Sequence, residues 1–215
     1  MALTQELAGK HALVTGGGTG IGLAIAQALA AQGAQVTITG RRKEVLDDVA
    51  TDRIFGAVMD VRDEASVCDV TAAAVEARGP VQICVANAGV AEGRSLHKTD
   101  LGFWRDTMAT NLDGAFLTIR ECLGGMRQTD WGRVIGVSSI AGLRGLPGAA
   151  AYAASKHGLI GLIRSLSEDY MGQPYTFNAL CPGYVDTPIV ARNEVAIAAR
   201  TGMSADAARQ VMIDA

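Results

Sequence analysis

The chain has 215 residues, 49% of them apolar and 19% charged, which is enough apolar surface for a sizeable core and too much for a disordered segment. A formal net charge of −3 excludes the broad basic face of a general nucleic-acid binder, and no apolar run reaches the ~18 residues of a membrane span. Cys68, Cys84, Cys122 and Cys181 lie far apart, with no Cys-x-x-Cys pair and no histidine in metal-ligand spacing. They read as reduced thiols, mostly core residues, in a reducing compartment, with no metal site. The N-terminus lacks the basic, apolar and small-residue order of a secretory leader, so a soluble cytoplasmic protein is expected.

Short β-type runs alternate with longer helical ones from end to end. His11–Thr15 (HALVT) is apolar and passes straight into glycines, and 20–32 carries Ala, Leu and Ile at helical spacing until Gly33 stops it. The β-branched run 35–39 breaks at Gly40, a short helix follows near 43–49, and a third strand fits 54–59. Residues 63–78 open with acidic residues and close at Gly79-Pro80, the marks of a helix. Val81–Ala86 is a fourth strand, 100–127 a long helical region, 133–138 a fifth strand, 149–171 another helix and 175–181 a sixth strand. Nearly continuous apolar strands alternating with helices predict a parallel sheet covered on both faces. Right-handed crossovers then give a doubly wound α/β fold. Without a repeat, a low-complexity stretch or a linker, 1–215 reads as a single domain.

The turn after the first strand reads Thr15-Gly16-Gly17-Gly18-Thr19-Gly20-Ile21-Gly22. Its spacing, Gly16-x-x-x-Gly20-x-Gly22, departs from Gly-x-Gly-x-x-Gly but serves the same physics. Glycines let the backbone approach a pyrophosphate, and the helix start offers unpaired N–H groups. Gly16, Gly18, Thr19, Gly20, Ile21 and Gly22 are therefore expected to hold a dinucleotide. At the end of the second strand, NAD-binding folds place Asp or Glu on the ribose 2′-hydroxyl. Here that position is Gly40, followed by Arg41 and Arg42, which can fork onto a 2′-phosphate. NADP(H) is favoured, with NAD(H) the alternative if the arginines are merely solvated. Asp60 with Val61, after the third strand, can accept from the adenine amino group. Asn87-Ala88-Gly89 ends the fourth strand beside the central crevice, where an amide can tie strands together and floor the cofactor site.

Tyr152 and Lys156 stand four apart, on one face of a helix. A free phenol has a pKa of about 10, and a neighbouring ammonium pulls it toward neutrality, where it can act as general acid or base.

These residues carry a resemblance. The segment 15–22, Asp60, Asn87-Ala88-Gly89, Asn111, Ser139, Tyr152-x-x-x-Lys156 and Pro182-Gly183 occur in the order of the short-chain dehydrogenase/reductase family in its single-domain form. The resemblance implies a Rossmann-type fold, hydride exchange between NAD(P) and a ketone or secondary alcohol, and a tetrad of Asn111, Ser139, Tyr152 and Lys156. Ser139 is expected to donate to the substrate oxygen, and Tyr152 to deliver or take the proton. Lys156 is expected to bind the nicotinamide ribose and keep the tyrosine pKa low, and Asn111 to hold a water leading to solvent. Pro182, Gly183, Val185 and Thr187 are implied to line the nicotinamide end, and 188–215 to form a mobile substrate lid. Family members ordinarily continue through a seventh strand, so the chain is expected to be a fragment.

Pocket walls are expected at 90–94, 140–146 and 184–189, with Arg94, Arg144 and Tyr184 as polar exceptions. The texture (AAYAASKHG, NALCPGYVDTP, AIAARTGMSADAARQVM) resembles 3-oxoacyl thioester reductases and 3-hydroxybutyrate dehydrogenases. Ala141 stands where the latter carry a polar group, which favours a 3-oxoacyl/3-hydroxyacyl thioester over a small free hydroxy acid. A polyol, sugar or other secondary alcohol is the alternative. A non-catalytic dinucleotide sensor is the remote one, since such proteins usually lose the tyrosine or lysine. By the same resemblance, helices 100–127 and 149–171 pack against a second subunit, which implies a homodimer or homotetramer.

Overall fold

The computed structural model of the chain describes residues 5–214. Among them, six strands form one sheet: β1 (His11–Thr15), β2 (Gln35–Gly40), β3 (Ile54–Val58), β4 (Val81–Ala86), β5 (Gly132–Val137) and β6 (Tyr175–Leu180). Their order is β3-β2-β1-β4-β5-β6 and every pairing is parallel. The helices are α1 (Gly20–Ala31), α2 (Lys43–Asp47), α3 (Glu64–Arg78), α4 (Leu101–Met108), α5 (Gly114–Met126), α6 (Ala150–Asp169), α7 (Pro188–Thr201) and α8 (Ala205–Asp214). This is the expected Rossmann-type arrangement, and the strand order reverses between β1 and β4, where such sheets open a crevice at their C-terminal ends.

Alternation along β1 shows why its sequence is apolar throughout. Leu13 packs with Cys84, Val134, Ile119, Leu159 and Ile163 on the face covered by α5 and α6. Its neighbours Ala12 and Val14 pack with Val36, Ile38, Val85 and Ala26 on the face covered by α1. Each fully buried Val, Leu or Ile contributes about 1.5–3 kcal/mol. The two sheet faces therefore hold the layers together more than helix propensity does. Cys84 and Cys122 belong to this core, while Cys68 and Cys181 are only half-buried.

Helix ends follow local chemistry. Asp63 caps α3 by accepting from Ala65 N (3.0 Å), and Gly79 with φ +80° ends it. Asp100 caps α4 by accepting from Phe103 N (2.8 Å). The region 100–127 is not one helix, however: a π-helical turn, Ala109–Asp113, separates α4 from α5. Its cause is tertiary, because Asn111 is drawn inward by partners on other segments. The lid region is likewise two helices, parted at Gly202 (φ +74°). Among the described residues no helix is long and apolar enough to cross a membrane.

The N-terminal ends of the strands carry their own polar network. His11 donates from Nδ1 to Gly79 O (2.8 Å), since a carbonyl can only accept. Arg78 Nε donates to Thr37 Oγ1 (3.1 Å), which leaves the Thr37 proton to His11 Nε2 (2.8 Å). Burial pushes the His11 pKa below its ordinary value, and the ring is neutral with both nitrogens satisfied.

Candidate active site

The glycine turn is locked to the fourth strand. Thr15 Oγ1 accepts from Asn87 N (3.0 Å) and Ala88 N (2.9 Å). Asn87 Nδ2 donates back to Thr15 O (2.8 Å) and Gly16 O (3.3 Å), so the amide does tie the two strand ends together. Gly22 is required at its position because a β-carbon there would collide with Asn87 Nδ2 and Gly16 O. Gly16 and Gly20 have φ of +63° and +54°, which favours glycine.

Helix α1 starts from Thr19 with no side-chain cap and no acid in its first turn, leaving its leading N–H groups to face an anion. A groove of about 410 Å³ runs from this helix start past Ile21 and Ile25 to Val185, Asp186 and Thr187. A β-carbon on Gly20 would come within 3.3 Å of Thr187 Cγ2 and crowd that passage. Uncapped donors, glycine backbone and a first turn free of carboxylate fit the phosphates of a dinucleotide.

At the end of β2, Gly40 has room: a β-carbon would meet only Leu46 Cδ2, at 3.6 Å. Arg41 and Arg42 are exposed beside it. Asp60 differs from its expected state as an open adenine acceptor. Its Oδ1 accepts from Arg62 N and Nε (both 3.0 Å), and its Oδ2 from Arg62 Nε (3.2 Å) and Nη2 (2.6 Å). Arg62, with Arg41 farther off, holds the Asp60 pKa down at about 2. An adenine amino group would have to displace one of these bonds. Arg62 was missed in the sequence, although Asp-x-Arg after a strand was there to be read. The Val61 side chain is buried with Met59 and Val67, leaving its main chain to meet a ligand.

Ser139, Tyr152, Lys156 and Asn111 converge at the C-terminal ends of β4 and β5. Ser139 follows β5 and starts a 3-10 turn, where its Oγ accepts from Ala141 N (3.1 Å). That bond occupies a lone pair, and the same hydroxyl hydrogen-bonds with the Tyr152 phenol. Lys156, 4% exposed, donates from Nζ to Val137 O (2.8 Å) and lies 5.8 Å from the Tyr152 ring centroid. Ser138 Oγ donates to Lys156 O (3.0 Å), fastening α6 to the end of β5. Asn111, 1% exposed, accepts on Oδ1 from Val90 N (2.8 Å). Its Nδ2 donates to Val90 O (2.9 Å) and Ser155 Oγ (3.0 Å). Both amide hydrogens are thus committed, and a water could be held only by the remaining Oδ1 lone pair or by main chain. Gly89 is wedged between them, since a β-carbon on it would lie 3.1 Å from Asn111 Oδ1 and 3.5 Å from Lys156 Nζ.

The charge state of the pair departs from expectation. Burial pushes the Tyr152 phenol up, opposed by a hydrogen bond with Ser139, and a net downward pull from Lys156 does not emerge. Burial acts on Lys156 as well, lowering its pKa to about 8.

Around the mouth, two of the three polar exceptions, Arg94 and Tyr184, are engaged within the chain, while Arg144 is exposed. Arg94 pairs with Glu92 (3.1 Å) and Asp100 (3.3 Å) and stacks on Phe103 at 4.0 Å. Tyr184 donates to Glu194 Oε1 (2.9 Å) on α7, and Arg209 on α8 pairs with Asp186 (3.3 Å). Asn193 Nδ2 on α7 donates to Ala91 O (2.6 Å), joining the lid to the loop after β4. Pro182 O accepts from Ile140 N (3.0 Å), and Thr187 caps α7 through Val190 N (3.4 Å). Gly183 is exposed between them.

A family model described as short chain dehydrogenase matches residues 10–197. The D-beta-hydroxybutyrate dehydrogenase of Cupriavidus necator is 36% identical over 213 residues, covering 96% of this chain and 83% of that protein. A variant of actinorhodin polyketide ketoreductase, solved with NADPH, is similar with TM-score 0.89 at 35% identity, covering 97% of this chain and 82% of the other. A short chain dehydrogenase/reductase from Burkholderia phymatum in complex with NAD is similar with TM-score 0.82 at 30% identity, covering 86% and 69%. The chain belongs to the short-chain dehydrogenase/reductase family and is an NAD(P)-dependent oxidoreductase acting on CH–OH groups.

Proposed function

We propose that the chain interconverts a 3-oxoacyl and a 3-hydroxyacyl thioester with NADP(H), using Tyr152 as the proton donor or acceptor. The observation that carries this reading is the convergence of Ser139, Tyr152 and Lys156 where β5 meets α6. When bound, the nicotinamide cofactor supplies or accepts the hydride. Ser139, with its lone pair engaged by Ala141 N–H, directs its proton at the substrate oxygen. Tyr152, its phenol held up by burial, is a ready proton donor for ketone reduction. Lys156 is fixed by Val137 O and directs its other ammonium hydrogens toward the ribose and the phenol side. The glycine turn, the uncapped start of α1 and Thr187 would hold the pyrophosphate.

Two observations support the finer choices. Arg41 and Arg42 beside a bare Gly40 offer cations and no carboxylate to a 2′-phosphate. Ala141 is buried and apolar, so it gives a small free carboxylate no partner beside Ser139. The relative that acts on D-beta-hydroxybutyrate supports a second reading, a free 3-hydroxy acid. In the family, chains of this type assemble as dimers or tetramers, and we extend that expectation to this chain.

Parallel titrations with NADPH and NADH, each with 3-oxoacyl thioesters, free 3-oxo acids and polyols, test the reading. NADPH with a thioester is expected to give the highest kcat/KM; a free acid turned over faster would select the second reading. Gly40→Asp fits without a clash and restores a carboxylate to the ribose end. It is expected to shift the NADPH-to-NADH preference at least about tenfold toward NADH, because a carboxylate repels the 2′-phosphate. An unchanged ratio would remove Gly40 and its arginines from cofactor choice.

A further inference from the structure

Between Tyr152 and Lys156 sits Ser155, a residue with no part in the proton or hydride steps and no exposed surface at all (0%). Its Oγ donates to the main-chain oxygen of Tyr152 (2.7 Å). With its single proton so used, it can only accept from Asn111 Nδ2 (3.0 Å). This fixes the orientation of the Asn111 amide, with the NH₂ toward Ser155 and Val90 O and Oδ1 toward Val90 N. One buried hydroxyl thereby joins the helical turn that carries Tyr152, the π-helical turn that carries Asn111, and the loop after β4 that walls the pocket.

The π-helical turn makes this link necessary. A π turn sacrifices regular i→i−4 bonding and is tolerated where side chains over-determine it. Here Asn111 supplies that determination, and Ser155 receives the one Asn111 hydrogen that Val90 does not take. The bond from Ser155 back to the Tyr152 carbonyl gives that oxygen a side-chain donor beside the helix ladder.

We propose that Ser155 is a positioning residue for the reaction, acting through Asn111 and the Tyr152 main chain to set where the phenol meets the substrate oxygen. The proposal rests on the role of Tyr152 given above. Without Oγ, Asn111 keeps a buried N–H with no acceptor, and the amide turns or shifts to satisfy it. Val90 and the phenol then lose their common reference, while the glycine turn and the start of α1 are untouched.

Alanine is the best helix former and slightly smaller than serine, so Ser155→Ala is expected to fold. Its kcat for ketone reduction is expected to fall about tenfold, with the NADPH dissociation constant, read by fluorescence, within about twofold of wild type. Ser155→Cys, which keeps a weak donor, is expected to fall in between. In a double-mutant cycle, Asn111→Ala is expected to be made no worse by adding Ser155→Ala, because both act through one amide. Wild-type kcat in Ser155→Ala, or multiplying effects in the cycle, would overturn the proposal. So would a parallel loss of NADPH affinity and thermal stability, which would mark a merely structural hydroxyl. Tyr152→Phe, assayed alongside, separates the two readings. If it keeps wild-type turnover, the acid/base assignment fails; if it is inactive while Ser155→Ala is normal, only the positioning role fails.

Discussion

The two edges of the sheet, at the strands' N-terminal and C-terminal ends, bury a base each, and they use it oppositely. At the N-terminal end, His11 is held neutral with Gly79 O on one nitrogen and the Thr37 hydroxyl on the other. At the C-terminal end, Lys156 is buried as deeply, with its pKa lowered to about 8, and is fastened by Val137 O. Burial depresses both bases. The difference is what surrounds them. His11 is closed on all sides by its own chain and contributes stability. Lys156 faces the Tyr152 phenol and Gly89, on which a β-carbon would stand 3.5 Å from the ammonium, so its desolvation falls at the proposed site of chemistry.

The contrast breaks most visibly at the lysine. Lys156→Met keeps length and apolar volume while removing a charge that burial disfavours. Its kcat is expected to fall at least about a thousandfold, with Tm unchanged or raised. A clear drop in Tm would mean that the lysine is structural in the way His11 is.

His11 should show the mirror image. His11→Leu leaves the Thr37 hydroxyl proton without its acceptor and Gly79 O without its donor, and is expected to lose about 1–3 kcal/mol of stability, with activity per folded molecule unchanged. The same residue sets a pH dependence. Its folded pKa lies below the unfolded value of about 6.5, so just below that pH the unfolded chain binds more protons. The contribution is therefore present above pH ~6.5 and lost on acidification through the folded value. Denaturant midpoints across that window should fall with pH in the wild type and less steeply in His11→Leu. Equal slopes would place the acid sensitivity elsewhere.

Much of this is legible in the amino-acid sequence, for reasons that differ along the chain. Strand positions followed from apolar runs and glycine breaks, and β1 and β4 are where the sequence placed them because both sheet faces are buried there. Asp63, Gly79 and Pro80 announced the limits of α3 in the same local way. The π-helical turn at Asn111 was not readable, because Val90 and Ser155, which impose it, are distant in sequence. The closure of Asp60 by Arg62 and of Arg94 by Glu92, Asp100 and Phe103 depends on rotamers that spacing does not fix. The upward shift of Tyr152 is a matter of depth, and spacing to a lysine says nothing about depth.

The smallest expected effect lies at the lid. Helices α7 and α8 are attached largely by polar contacts, among them Asn193 to Ala91 O and Arg209 to Asp186. Asn193→Ala is expected to raise the substrate KM about two- to fivefold while leaving kcat and NADPH affinity near wild type, since it removes one closing contact and no reacting group. A fall in kcat matching that of the lysine variant would place Asn193 in the chemistry instead.

The most direct test is the turnover of Tyr152→Phe with NADPH and a 3-oxoacyl thioester, measured beside NADPH binding. Phenylalanine keeps the ring and removes the phenolic hydroxyl with its acidic proton. We expect NADPH to bind within about twofold of wild type and kcat to fall at least about a hundredfold. Wild-type kcat with intact binding would show that the proton comes from another group, and would contradict the assignment on which the site's reading rests.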